Sequence, residues 1–219
     1  MTGTTRRYGV ARDVNPDAGM HAISSEPAER AAAEAATRQS WREFPYYPRR
    51  YGERGWRFSL SDSGWLSTLS DSTDSEALTQ LRWLAQLLAA RGMPQYLLER
   101  HLFHLHAALT EVMPGDVMRY ARLHRCADAL RAQRVGKIPE EQFVALARDF
   151  EFRARNSESR IPNMGVVLVS AVVDDALGLG DVARNVGDWA TDESRFDASW
   201  RTAVRDTVSA ARRQVSSSV

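Results

Sequence analysis

The sequence predicts an all-α protein, and three observations carry that reading. Apolar residues recur at helical spacing, glycines and prolines punctuate the second half at regular intervals, and no stretch shows the two-residue alternation of a half-buried strand. With 219 residues, 43% of them hydrophobic and 26% charged, the chain can bury a sizeable core and lies far from disordered compositions.

From Met1 to Ser25 the chain mixes Gly, Pro, Asn and Thr without an apolar period, so residues 1–26 are expected as a mobile extension outside the core. Ser25-Glu26-Pro27 reads as a helix start, and the Ala/Glu/Arg-rich stretch from Pro27 to about Phe44 has high helix propensity. Pro45 and Pro48 bracket Tyr46 and Tyr47 and end that helix near Phe44. Further on, Gly92-Met93-Pro94, Met113-Pro114-Gly115-Asp116, Gly136 to Glu141 and Ile161-Pro162 each place a helix stop or start. Between these marks the periodicity predicts helices over Ser75–Arg91, Pro94–Val112, Asp116–Arg134, Pro139–Arg155, Pro162–Leu177, Gly180–Ala190 and Ser194–Arg213. About seven to eight helices joined by short connections must pack as near neighbours, as a helical bundle or a globin-like orthogonal stack. Residues 27–214 are expected as one helical domain and 215–219 as a disordered tail.

The core is read from stripes. Leu98, Leu102, Leu105, Leu109 and Val112 share one helix face; Leu81, Leu84 and Leu88 with Trp83, and Phe196, Trp200, Val204 and Val208, repeat the pattern.

Composition narrows function mainly by exclusion. Twenty-nine basic residues against 28 acidic ones create no long-range field for nucleic acid or an anionic membrane. The abundance of Arg and Ala is the habit of GC-rich bacterial genomes. The single cysteine, Cys126, excludes an internal disulfide and fits a reducing cytoplasm. The longest apolar run, Gly165 to Val173, is about half of what a bilayer requires, and no export signal opens the chain.

The densest chemistry is Glu99 to His106. At helical spacing His101 and His104 lie on one shoulder of the leucine stripe and His106 on the other. His101 and His104 could hold a metal if Asp174 or Asp175 joined them, but no Glu-x-x-His or His-Glu-x-x-His pair supports it, and histidines bonding between helices are the plainer reading. Leu105-His106, with Pro114 eight residues on and Phe58 upstream, resembles the proximal-histidine region of globins; that likeness implies haem at His106, although no distal histidine matches. Gly178-Leu179-Gly180-Asp181-Val182-Ala183 fits a dinucleotide fingerprint but lacks its strands, so the glycines are expected to turn one helix into the next. Tyr46 to Phe58 interleaves aromatics with arginines. It could stack on bases, yet the near-neutral chain and the acidic stretch Ser61–Glu76 favour docking on the bundle, with Arg54 and Arg57 in ion pairs across helices. Cys126, beside His124, lacks the third member of a nucleophilic triad.

Arg50-Tyr51-Gly52-Glu53-Arg54-Gly55, followed by Leu81-Arg82-Trp83-Leu84 and Leu88-Ala89-Ala90-Arg91-Gly92-Met93-Pro94, resembles a helical domain of multidomain bacterial regulatory proteins, some of which bind cobalamin. The likeness covers about residues 44–112 and implies a stand-alone regulatory module; the chain has no cobalamin-binding α/β module, and no cofactor is carried over. The reading is therefore a non-enzymatic, cytoplasmic regulatory or ligand-sensing module that binds a small apolar molecule or a protein partner, with no predicted cofactor. Trp56, Trp65, Trp83, His101, His104 and His106 are its candidate ligand-binding residues, and pairing with a second copy is open to any amphipathic face. The alternatives are a haem or metal protein using His106, or His101 with His104, and an enzyme built on dispersed Asp, Glu and His.

Overall fold

A computed structural model describes residues 8–217, with side chains through residue 215. The expected mobile segment before Tyr8 and the end of the expected tail, 218–219, lie outside the described residues. Within them are nine α-helices and one two-stranded sheet, so the chain is an all-α helical bundle protein. It divides into two compact units: the chain up to Glu43, Tyr47–Leu78 and Arg100–Ala127 form one, and Phe44–Tyr46, Thr79–Glu99 and the chain from Asp128 on form the other.

In the first unit, β1 (Tyr8–Val10) pairs antiparallel with β2 (Ala22–Ser24), Gly9 opposite Ile23. Ala11, Ala18 and Ile23 are buried together, with Val14 and Trp65 packed against them. This corrects the expectation that the N-terminal segment stays out of the core: strands of three residues are too short to show a period, so the hairpin leaves no pattern in the sequence. α1 (Pro27–Glu43) then buries Ala32, Ala33 and Ala36.

α2 (Tyr46–Thr68) occupies a stretch in which the sequence predicts no helix. Pro48 falls in its first turn, where a missing N–H costs nothing, and the helix is interrupted at Gly52 (φ 54°, ψ −155°). A Cβ on Gly55 would stand 2.3 Å from the Cβ of Tyr51. The Arg50–Gly55 motif is thus a helix break: Gly52 takes a backbone conformation that side chains disfavour, and Gly55 leaves room for Tyr51. Arg54 and Arg57 lie 3.8 and 3.9 Å from Asp17 of the N-terminal segment, where ion pairs between helices were expected.

Thr73 and Glu76 cap α3 (Asp74–Ala89) reciprocally: Thr73 N–H donates to Glu76 Oε2 at 2.9 Å and Glu76 N–H to Thr73 Oγ1 at 3.3 Å. The acidic stretch also meets the arginines of α5 (Val117–Val135). Arg119 bridges Glu29 (2.8 Å) and Asp71 (2.5 Å), and Arg122 and Arg125 both reach Asp74. Of the leucine stripe on α4 (Gln95–Val112), Leu98, Leu102, Leu105 and Leu109 are buried, but Val112 is 45% exposed because the helix ends there.

The second unit is centred on α7 (Met164–Ala176), the apolar run of the sequence, which packs against α6 (Glu140–Arg153), α8 (Val182–Ala190) and α9 (Ala198–Ser217). A Cβ at Gly165 would lie 2.4 Å from the Ala147 carbonyl oxygen, so only glycine lets α7 approach α6 this closely. Trp200 stacks on Phe196 and meets Phe150 edge-on, and its indole N–H donates to the Ala190 carbonyl at 3.0 Å. Val204 is buried as expected, whereas Val208 is half-buried, and α9 continues past the expected tail start with Val215 buried. Gly178 and Gly180, both at positive φ, turn α7 into α8 as the sequence predicts. Leu81 and Leu84 of α3 are buried, but Trp83 is 60% exposed, because two positions beyond Leu81 it has rotated off their stripe.

Two polar ties hold this unit. Asp174 Oδ2 accepts from the Gln95 N–H at 2.7 Å and Ser170 Oγ from the Tyr96 N–H at 3.3 Å, so α7 satisfies two orphan donors at the start of α4. Arg134 forks onto Glu99 at 3.0 Å through both arms, with each side chain 3% exposed, and lies over the rings of Tyr96 and Phe143. Among the described residues, no helix is long and apolar enough to cross a membrane.

Two predictions follow from this architecture. In an ordinary helix, alanine stabilises relative to glycine by up to about 1 kcal/mol; Gly52→Ala and Gly55→Ala should each instead destabilise by about 1–3 kcal/mol in urea unfolding. Burial pushes Asp174 up to about 8, with Asp175 adding to the rise and the Gln95 N–H opposing it. Because the native state holds this proton more tightly than the unfolded chain, the contribution of Asp174 to stability should fall as pH rises from about 4 to about 8, so the stability of the parent relative to Asp174→Asn should decrease across that range.

Candidate functional site

The histidines of α4 are divided between two faces, as their spacing requires. His101 is buried between α1 and α2: Ser40 Oγ lies 2.9 Å from Nδ1 and Ser63 Oγ lies 3.1 Å from Nε2. Ser63 donates its own proton to the Ala33 carbonyl at 3.1 Å, so its oxygen accepts from Nε2–H. Nδ1 is then a bare acceptor for the Ser40 hydroxyl, and the imidazole is neutral. Burial, followed by the neighbouring His104, lowers His101 to about 4.

One turn along, His104 Nε2 lies 2.5 Å from Glu43 Oε2, and Arg100 reaches Glu43 Oε1 at 3.0 Å through Nε. Burial raises Glu43, but the hydrogen bonds from His104 and Arg100 outweigh it and leave the carboxyl below its ordinary range. His101 thus ties α4 to α1 and α2 through a neutral link, and Arg100 and His104 tie it to α1 through Glu43.

Beyond this link the aromatics gather. Trp41 stacks on Tyr47 (5.6 Å between centroids, 10° between planes), meets Trp56 edge-on at 5.2 Å, and donates its indole N–H to Ser59 Oγ at 3.1 Å. Burial pushes the Tyr47 hydroxyl far above its usual range, with Tyr51, Glu43 and Asp62 adding to the shift. In the next part of α2, no residue from Tyr51 to Leu60 is fully buried, although Tyr51, Trp56, Phe58 and Leu60 lie in it. Arg50 and Arg54 lie over the rings of Tyr51 and Phe58.

The other expected residues go elsewhere. Trp65 packs on the N-terminal hairpin and meets His21 edge-on. Trp83 is exposed on α3 in the second unit. His106 faces α5, where its ring meets that of His124 at 5.2 Å and 75°, and Phe103 meets the same ring at 5.1 Å. Burial and then His124 lower the His106 pKa. Asp174 and Asp175, the expected metal partners of His101 and His104, cap α4 and α8 instead, Asp175 Oδ1 accepting from the Ala183 N–H at 3.1 Å. No group of three or more His, Cys, Asp or Glu among the described residues could hold a metal ion. Cys126 is buried, which pushes its thiol up and keeps it protonated, the opposite of what a nucleophile needs.

Sequence reasoning missed Ser40, Glu43, Ser63 and Trp41. The serines lie 61 and 38 residues from His101 along the chain, and no local motif marks them. The chain matches no family model, no curated protein and no solved structure.

The neutral state of His101 gives a signed prediction. The unfolded imidazole binds a proton near pH 6.5 and the native one only near pH 4, so stability should fall as pH drops through this window. At about 1.4 kcal/mol per pKa unit, the full loss is about 3 kcal/mol. Guanidinium unfolding at pH 7 and pH 4 should show the stability of the parent relative to His101→Gln falling by about that amount at the lower pH.

Proposed function

We propose that the protein is a non-catalytic, cytoplasmic regulatory module whose first unit binds a small apolar molecule or an apolar segment of a protein partner. The observation that carries the reading is the half-exposed run of aromatics from Tyr51 to Leu60, next to the helix break at Gly52. Flat apolar surface of this kind gains free energy when it leaves water, and Trp and Tyr provide large contact areas with few torsions to fix. Flanking guanidiniums already lie over two of the rings.

The joint behind that surface suits a two-state response. Ser40, His101 and Ser63 hold α1, α2 and α4 by neutral hydrogen bonds that can exchange partners, so a ligand favouring one arrangement of α2 would shift its population. Trp56, His101 and His104 therefore keep a place in the site, with Trp41 and Tyr47 added. The resemblance of residues 44–112 to helical domains of bacterial regulators supports the same reading.

A thermal-shift screen of small apolar compounds and amphipathic peptides, read also by tryptophan fluorescence, tests it. At least one class should raise the melting temperature of the parent by several degrees, and Trp56→Ala should abolish the shift while leaving the helical circular dichroism spectrum intact. A shift that survives in Trp56→Ala, or a screen in which nothing binds, overturns the reading.

A further inference from the structure

We infer that Arg54 and Arg57 of α2 receive the carboxylate of a small aromatic acid, and that Asp17 of the N-terminal segment competes with it for the same two guanidiniums. This rests on the reading of α2 as a binding surface and names the class of ligand and its internal competitor. Both guanidiniums approach one atom, Asp17 Oδ2, Arg54 through Nε at 3.8 Å and Arg57 through Nη2 at 3.9 Å. Two cations focused on one oxygen suit an oxyanion, yet both distances exceed the about 2.7–2.9 Å of a charge-assisted hydrogen bond. Asp17 marks the focus without closing on it.

The contact is built to be exchanged. The Asp17 N–H donates to Oδ1 of the buried Asn15 at 3.1 Å, so the turn that carries the carboxylate is tied from behind. The side chains themselves reach solvent, Arg54 73%, Arg57 44% and Asp17 51% exposed. Loose, exposed ion pairs add little to stability, so a solvent-borne carboxylate can replace Asp17 at small cost to the fold.

Charge and shape select the ligand. Tyr46 to Leu60 carries four arginines and one glutamate, in a chain whose net charge is only +1. A cationic ligand is disfavoured here, and an uncharged one leaves the guanidiniums unused. The apolar part has its place beside them: the Arg54 guanidinium lies 5.7 Å from the centroid of the half-exposed Phe58 ring, next in the chain to Arg57. From Arg54 to Leu60 the helix rises by only about 9 Å. That is the length of a two-ring acid and well short of the roughly 20–30 residues a side of a stable protein interface.

Calorimetric titration of the full chain at low salt with naphthylacetate, and with its uncharged alcohol naphthylethanol, tests the inference. The ratio of the two affinities isolates the contribution of charge from that of the rings. In Asp17→Asn the preference for the acid should rise about threefold, and in the Arg54→Gln/Arg57→Gln double variant it should fall about fivefold, with alcohol binding unchanged in both. Added salt should lower the preference in the parent, because all three groups are exposed. Circular dichroism should match the parent in every variant. A preference that moves less than twofold in either variant, or that ignores salt, overturns the inference while leaving the α2 surface as a binding site for the alcohol. If neither compound binds, the inference and the reading beneath it fall together.

Discussion

The start of α4 is the constraint on which much of the second unit depends. A helix that begins inside a protein carries backbone N–H groups with no intrahelical acceptor, and burying them without partners costs more than most single contacts return. Here the acceptors come from a different helix, about eighty positions further along the chain, as the side chains of Asp174 and Ser170 one turn apart on α7. That requirement puts a carboxyl in the last turn of the most apolar helix among the described residues, where Asp174 is 1% exposed. It also limits the slide of α7, because a shift by one residue would move both acceptors off their donors. The close approach of Gly165 to Ala147 then sets α6 against the same helix. The Arg134–Glu99 fork adds a second fixed tie, since breaking either partner would leave a buried charge without its counterpart.

The first unit meets a related problem with different chemistry. His101 lies where a leucine would be the ordinary choice, and it is tolerated because two serine hydroxyls complete its hydrogen bonds in one consistent direction. A protonated imidazole would need acceptors at both nitrogens, so this arrangement enforces neutrality through geometry and burial together. The charge that α4 does carry on this side is placed one turn away, at the boundary with solvent, where Arg100 and His104 share Glu43. Polar joints of this kind are weaker than apolar packing but more selective, since few alternative alignments of three helices would satisfy every donor.

Legibility in the sequence followed the range of the interactions. Helices closed by Gly and Pro and lined by leucines were readable because their signal repeats every three or four residues, and the division of His101 and His104 from His106 follows from the same period. α2 was not readable: Pro45 just before it, Pro48 within it and the glycines at positions 52 and 55 look like punctuation, yet Pro48 suits a first turn and Gly52 breaks a helix that continues beyond it. The hairpin of Tyr8–Val10 with Ala22–Ser24 was too short to show alternation. In the candidate site, the histidines were visible but their partners were not, because Ser40, Glu43 and Ser63 belong to α1 and α2 and carry no mark of their role. Trp83 shows the converse error, a large apolar residue assigned to a core stripe that the helix turns toward water.

These placements also change the meaning of the Arg50–Gly55 motif. Taken as sequence, it is a charged, glycine-containing segment of the sort found in loops. In the structure the first glycine stops one helical run and the second admits the Tyr51 side chain, so the residues that follow start a new helix with aromatic groups held at the surface. An uninterrupted helix would keep the residues on either side of Gly52 in a single helical phase, and the stripe that buries Leu66 and Leu69 would then govern Tyr51 as well. The break releases Tyr51 from that phase, and Trp56, Phe58 and Leu60, which follow it in the same run as Leu66, are half-exposed. Half-exposed aromatic groups of this kind are free to be shaped by what they bind, which is why the proposed function is centred on α2 and not on the histidines that first draw attention in the sequence.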